Sequence, residues 1–298
     1  MAFYSLDPAM GQALEALVRE LEADGRPGLA QQLSLTWLRL DPDPAGTGPP
    51  RGASWNGDRQ RYPASVVKLV YLIAAEAWIQ RGLIEEDPEL RRALAAMIRD
   101  SSNDATGLVV DLLSGTTSGP ALPAERFAHW AQQRRLVNDW LASLGWPELV
   151  GCNCCQKTWE DGPYGRERAF YGEDLANRNR LSSDAVARLL SAVMRDGIVS
   201  PPACERMRAL LLRSLDRQER AADPENQVDG FLGEAVPEAA RLWSKAGWMS
   251  QARHDAACIA VEGQAPVVLV AFSEGRHCAL DERLLPELSR RLLGSGCG

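Results

Sequence analysis

The hydrophobic pattern of the chain switches between two periods. In GQALEALVRELEADG apolar residues recur at helical spacing, which predicts an amphipathic helix stopped at Gly25. QQLSLTWLRLD alternates apolar with polar positions and predicts a strand. The Pro/Gly/Asp-rich stretch DPDPAGTGPPRGASWNGDRQ predicts a loop. From Ala64 to Leu83 the pattern is helical again, and a second helix is expected from about Pro88 to Ile98. DSSND interrupts it, and ATGLVVDLLSG resumes helix. GTTSGPALP predicts a loop, and FAHWAQQRRLVNDWLASLG one long helix. Residues 150–180 are rich in Gly, Asn, Cys and charge and predict a loop. LSSDAVARLLSAVMRDG, with a serine cap signal and Gly197 as its stop, predicts another helix, and so does PPACERMRALLLRS. LWSKAGWM, HDAACIAVE and PVVLVAFSE predict three strands, and ERLLPELSRRLLG a closing helix.

This order implies an α/β (α+β) chain of two lobes. Residues 1–65 and 215–298 would form a discontinuous α/β lobe, an antiparallel sheet flanked by terminal helices. Residues 66–214 would form an all-helical lobe. The cleft between them is the natural place for a site. There is no internal repeat and no low-complexity segment.

Composition narrows the function classes. With 298 residues, 45% hydrophobic and 24% charged, the chain can bury a large core. A net charge of −7 gives no basic footprint for nucleic acid or an anionic membrane. The first 25 residues lack a basic region followed by an apolar core, and no run approaches the ~18 apolar residues of a membrane span. A cytoplasmic location is expected, or a periplasmic one if the true start lies upstream. Of seven cysteines, Cys152, Cys154 and Cys155 cluster, while Cys204, Cys258, Cys278 and Cys297 are scattered. Reduced thiols are expected. The CxCC cluster lacks a second pair, so neither a metal nor another cofactor is expected. His129, His254 and His277 lack a partner pattern and read as structural.

One feature of the charge pattern points to chemistry. Of 33 basic residues only Lys68, Lys157 and Lys245 are lysines. Guanidinium stays protonated at any usable pH, whereas a desolvated amine can become a proton acceptor. Lys68 follows Ser65 by three positions at a predicted helix start, so the two side chains share a face. A hydroxyl needs an adjacent base to become a nucleophile, and a neutral lysine can serve. Ser101-Ser102-Asn103 breaks two helices and offers a hydroxyl and an amide, though Ser and Asn are also ordinary helix caps. Lys245-Ala246-Gly247 lies on the first late strand, where glycine permits close approach of backbone or ligand and where the lysine could equally protect an edge.

Together, SxxK, SxN and KxG resemble the motif set of the serine β-lactamase and penicillin-binding protein superfamily, class A β-lactamases most of all. YPASVVKL resembles the nucleophile box, MIRDSSNDATGLVVDLL the second box, and LWSKAGWMSQARHDAACIAV the third. The resemblance implies a two-lobed β-lactamase-like fold and a covalent acyl-enzyme. It makes Ser65 the nucleophile, Lys68 its base or relay, and Ser101 the proton shuttle to the leaving group. Asn103 would bind a substrate amide, and Lys245 a substrate carboxylate. The oxyanion hole would use backbone N–H groups of Ser65 and a residue just past Gly247, either Trp248 or Met249. Arg253 would bind a substrate carboxylate or pair with Asp255.

Three positions depart from the family pattern. Ala246 stands where Thr or Ser is usual, removing a hydroxyl hydrogen bond worth about 1–2 kcal/mol. Ser102 stands where class A enzymes carry Asp. The deacylating glutamate has two candidates, Glu167 and Glu173, on the loop that also carries Lys157. The expected function is therefore a serine hydrolase acting on a small-molecule or peptide amide or ester. A cytoplasmic amidohydrolase, peptidase or glutaminase-like enzyme, and a binding protein that kept the fold, are the alternatives.

Overall fold

The computed structural model describes residues 3–40 and 48–294. The chain begins with β1 (Ser5–Leu6), α1 (Pro8–Ala23), α2 (Leu29–Gln32), β2 (Leu33–Arg39) and β3 (Arg51–Trp55). A 3-10 turn, Ala64–Val66, leads into α3 (Val67–Gln80), followed by α4 (Pro88–Arg99), α5 (Asn103–Ser114), α6 (Ala124–Arg134) and α7 (Leu136–Ser143). Then come α8 (Gly165–Tyr171), α9 (Ser183–Met194), α10 (Pro201–Leu211), β4 (Leu212–Arg213) and α11 (Arg217–Ala222). The chain closes with β5 (Arg241–Met249), β6 (Ala252–Ala260), β7 (Val267–Glu274), α12 (Arg276–Leu280) and α13 (Leu284–Gly294).

The seven strands form one sheet in the order β1-β3-β2-β7-β6-β5-β4. It is antiparallel except where β1 meets β3. Residues from both ends of the chain therefore share the sheet, with β2 against β7 pairing Leu35 with Ala271 and Trp37 with Leu269. Strand periodicity divides the apolar side chains between two cores. Ala256, Cys258, Val268 and Val270 join the core built on α3, α4, α5, α7, α9 and α10. Ala257, Ile259, Leu269 and Ala271 join the core built on α1 and α13. With both faces covered, the central strands read as near-continuous apolar runs.

Local signals account for the helices. Asp7 caps α1, its carboxylate accepting from the N–H groups of Ala9 and Met10 at 3.0 and 3.1 Å, with Pro8 in the first turn. Met10, Leu14, Leu17, Val18 and Leu21 then give the buried stripe. Helix α3 is different, because every residue from Val67 to Trp78 is buried. It is the central helix of its core, and it buries two charged groups. Glu76 is held by Arg91 and by Arg206, the latter at 2.6 Å. Lys68 faces the opposite direction in function, toward the site described below.

Three expectations need correction. The stretch read as a loop after β2 contains β3, whose RGASW has the alternation of an edge-side strand but is masked by flanking Pro and Gly. Its first part, residues 41–47, lies outside the described residues, as does Cys297. The long helix over FAHWAQQRRLVNDWLASLG is two, broken at Arg135, so Trp130 and Trp140 serve different clusters. The loop over residues 150–180 contains α8, whose Phe170 and Glu167 are buried. No described helix is long and apolar enough to cross a membrane.

Because α3 is buried on all sides, truncation there should be costly. Leu72→Ala is expected to lower the unfolding free energy by about 3 kcal/mol, measured by chemical denaturation. A loss below about 1 kcal/mol would show that α3 is not tightly packed.

Candidate active site

The 3-10 turn before α3 is clamped from several sides. Arg61 donates to Ser34 Oγ at 2.8 Å and to Glu274, and its backbone bridges to Leu181. His254 Nδ1 accepts from the Ser273 N–H at 3.0 Å, so Nε2 carries the proton and donates to Tyr62 O at 2.9 Å. Burial pushes this histidine down to about 4, so it is a neutral tether between β6 and the turn. Ala64 then adopts a left-handed φ of 46° immediately before Ser65. For a residue with a Cβ this is a strained conformation of the kind that persists where surrounding structure enforces it. Ser65 is partly exposed at the end of this turn.

Strand β5 meets the same turn edge-on at Gly247. A Cβ at that position would stand 2.9 Å from Pro63 O, Ser65 N and Val66 N. Only glycine permits the approach. The strand residue after it, Trp248, and the backbone of Ser65 therefore border one cleft of about 310 Å³, shared with Ser101, Ala246, Gly247 and Arg253.

Two of the three lysines meet on one hydroxyl. Ser101 Oγ accepts from Lys68 Nζ at 3.2 Å and from Lys245 Nζ at 3.1 Å. Lys68 also donates to Ser101 O and to Asn103 Oδ1, the latter at 2.8 Å. Lys245 also donates to Gln227 Oε1 and to Ala246 O. Both side chains are fully buried. Burial lowers Lys68 to about 7, opposed by the nearby Glu160 carboxylate. Burial lowers Lys245 well below the usual amine range, reinforced by Arg213 and by Lys68 itself. Lys245 points inward because β5 has core on both faces, and on its side of the strand the core belongs to the helices that carry Ser101 and Lys68.

The break between α4 and α5 divides capping from chemistry. Ser102 is the cap of α5, accepting from the Ala105 N–H at 3.1 Å. Ser101, held at a left-handed φ of 54°, faces the lysines instead. Asn103 spans two charged groups, because its Nδ2 donates to Glu160 Oε1 at 2.7 Å.

Glu160 is the residue that sequence reasoning missed. Neither glutamate expected at this position contacts the constellation. Glu173 is exposed on the short turn Glu173–Leu175 and has no ion pair or hydrogen bond to these groups among the described residues. Glu167 is fully buried elsewhere, ion-paired with Arg134 and accepting from Ser118 Oγ at 2.8 Å. The third lysine belongs to that second cluster. Lys157 Nζ lies 2.6 Å from Asp111 and 3.8 Å from Glu167, and donates to Ser118 at 2.8 Å. The loop between α7 and α8 turns so that Glu167 anchors it and Glu160, seven residues earlier, reaches Asn103. Spacing to the next helix could not reveal that reversal. The only local cue was an acid just before the Asp-Gly-Pro turn.

Arg253 does not pair with Asp255. The loop that carries Gly230 and Leu232 lies over this face of β6 and supplies both residues separately. Arg253 donates to Gly230 O at 3.2 Å, Ala279 O at 3.0 Å and Glu282 at 3.3 Å. Asp255 accepts from the Leu232 N–H at 3.1 Å and is raised by burial to about 7. The cysteine cluster is packing: Cys154 and Cys155 are buried free thiols, and burial pushes Cys155 up to about 11. Among the described residues no group of three or more His, Cys, Asp or Glu side chains could hold a metal ion.

A comparison with curated protein sequences finds no match. Solved structures do match. A β-lactamase from Sphaerobacter thermophilus is 21% identical with a TM-score of 0.65, covering 96% of this chain and 96% of its own. A β-lactamase from Chitinophaga pinensis is 16% identical with a TM-score of 0.66, covering 94% and 98%. A variant of PBP-A, solved as an acyl-enzyme complex with penicillin G, is also 16% identical with a TM-score of 0.66, covering 95% and 96%. At these identities the likeness establishes the fold. The family model described as "Beta-lactamase enzyme family" matches residues 84–294, beginning after Lys68 and including Ser101, Asn103, Glu160 and Lys245. With the expected lobed α/β architecture present and most of the chain matched, the protein belongs to the β-lactamase enzyme family.

Proposed function

We propose that this protein is a serine hydrolase that cleaves an amide or ester through an acyl-enzyme on Ser65, with Glu160 as the base of deacylation. The observation that carries the reading is the Ser101 hydroxyl held between two buried amines, one of them a single helical turn from Ser65. Lys68, lowered to about 7, is a competent proton acceptor near neutrality. It takes the Ser65 proton as Oγ attacks the substrate carbonyl carbon. The backbone N–H groups of Ser65 and Trp248 hold the resulting oxyanion. As the intermediate collapses, Ser101 passes its proton to the leaving nitrogen or oxygen and is reprotonated by Lys68, 3.2 Å away, which returns to its neutral form. Glu160 then takes a proton from water as its oxygen attacks the acyl carbon; when the bond to Ser65 breaks, that proton passes to the Ser65 oxygen, and the acid product leaves. A variant of PBP-A, which shares this fold, is an acyl-enzyme complex with penicillin G, and that supports the covalent step proposed here.

Substrate recognition differs from the family pattern. Ala246 lines the cleft but offers no hydroxyl, and Lys245 is engaged by Gln227 and Ala246 O. These two observations favour a substrate other than a penicillin. They also favour the second reading, a binding protein without turnover.

A neutral fluorophosphonate should form an adduct at Ser65, mapped by peptide mass spectrometry, and Ser65→Ala should abolish it. Lys68→Arg should slow labelling by at least about 100-fold, because guanidinium cannot accept the proton. Equal labelling of wild type and Ser65→Ala would sink the nucleophile assignment.

Only the neutral amine of Lys68 accepts a proton, so labelling should rise with pH through about 7 and level off above it. Glu160 raises the Lys68 value, so Glu160→Gln should move this midpoint to lower pH. A flat profile between pH 5.5 and 8.5 would rule out Lys68 as the base.

The two loop glutamates, exposed Glu160 and buried Glu167, should separate by readout. Glu160→Gln should leave acylation intact but slow release of the acyl group by about 100-fold or more, seen as an accumulating adduct by intact mass. Glu167→Ala should lower stability by about 3 kcal/mol in denaturant titration, because it removes the fully buried carboxylate of the Arg134 cluster and leaves that guanidinium with Asp111 alone. Slowed deacylation in a stably folded Glu167 variant, with Glu160→Gln unaffected, would reverse the assignment.

A further inference from the structure

The two grooves that open on either side of the Ser101–Asn103 break carry the same sign of charge. The one holding Ser65 is lined by Asp100, Glu225, Asp229 and Glu282, all exposed, against a single cation, Arg253. That guanidinium is already bound to Gly230 O, Ala279 O and Glu282. Asp229 has a partner in Arg220 at 2.9 Å, whereas Asp100 and Glu225 form no ion pair within 4 Å among the described residues, Asp100 being near enough to Arg213 only to raise its pKa. The second groove, about 380 Å³, starts at Asn103 and is lined by Asp104, Glu160 and Asp161. Its one cation, Lys157, is tied to Asp111.

A second observation of a different kind points the same way. Trp248, at the mouth of the Ser65 groove, is 58% exposed, although it is among the largest apolar side chains of the protein. Its neighbour Arg253 already stands over the ring, 5.8 Å from the centroid, and more than half of the residue's surface stays open to solvent. An open indole beside carboxylates is suited to hold an ammonium or guanidinium group. Its π face repels a carboxylate, which could use only the indole N–H.

We propose that the cleft selects cationic substrates, namely amides or esters carrying an ammonium or guanidinium group, such as basic peptides or polyamine conjugates. The inference rests on the hydrolase reading above and adds the substrate class. Carboxylates lining a cleft with low-dielectric walls focus a field that draws in cations and repels anions. Arg253 does not offset that field for an anionic substrate, because Glu282 already pairs with it, and Lys245 is a fully buried amine shifted toward its neutral form.

Three fluorophosphonates of equal chain length test this, ending in a methoxy, a trimethylammonium or a carboxylate group. Rates of labelling at Ser65 are measured at low ionic strength and normalised to each probe's hydrolysis in buffer. The cationic probe should outpace the carboxylate by about tenfold, and the ratio should approach one at 0.5 M NaCl, where exposed charges are screened. The double variant Asp100→Asn with Glu225→Gln should cut the ratio about threefold while leaving the neutral probe's rate unchanged. Labelling of Ser65 with a ratio of one or less at low salt overturns the proposal. A ratio insensitive to both salt and the double variant overturns it too. No labelling by any probe overturns the hydrolase reading, and the substrate class with it.

Discussion

The arrangement of the site depends on two buried amines sharing one hydroxyl. Each ammonium would lose several kcal/mol of hydration on burial, and the pair would also repel. The Ser101 hydroxyl offers two lone pairs and a mobile proton, so it can accept from both amines or donate to a neutral one. The amines respond by shifting toward the neutral form, Lys68 to about 7 and Lys245 well below its usual range. Proton acceptance thus follows from burial and mutual proximity. An arginine at either place would keep its charge and remove that response.

The scaffold has to hold this arrangement against its own cost. It does so by drawing the three contributing segments from elements that are rigid for other reasons. Lys68 belongs to α3, the most buried helix. Lys245 belongs to β5, paired along its length with β6. Ser101 sits in a left-handed conformation between α4 and α5, which pack against each other. The Ser65 turn, with its strained Ala64, is tied by Arg61 and by the neutral His254 to strands that come from both ends of the chain. The site is therefore a product of the sheet's topology.

The loop between α7 and α8 shows how charge directs backbone. The buried cluster of Arg134, Asp111, Lys157 and Glu167 fixes the loop's far end. With that end pinned, Glu160 is left on the outer limb, where Asn103 bridges it to Lys68. One glutamate is buried in an ion-pair cluster and the other faces Asn103, although they lie on the same short segment and carry the same functional group.

The sequence by itself determined the elements with strong period and clear caps: α1, α4, α9, the three late strands and the closing helix. It also marked Ser65, Lys68, Ser101, Asn103 and Lys245, because scarce lysines and punctuated helix starts are local features. It could not show β3, whose alternation is short and framed by Pro and Gly, or the break at Arg135, which comes from packing two tryptophans into different clusters. It could not choose among the acidic residues of the 150–180 loop either. That choice rests on which carboxylate finds a buried arginine and which is left facing Asn103. Such long-range pairing leaves no trace in spacing along the chain. Tertiary structure decided it, because the free energy of a charged side chain depends on what surrounds it far more than on its neighbours in sequence.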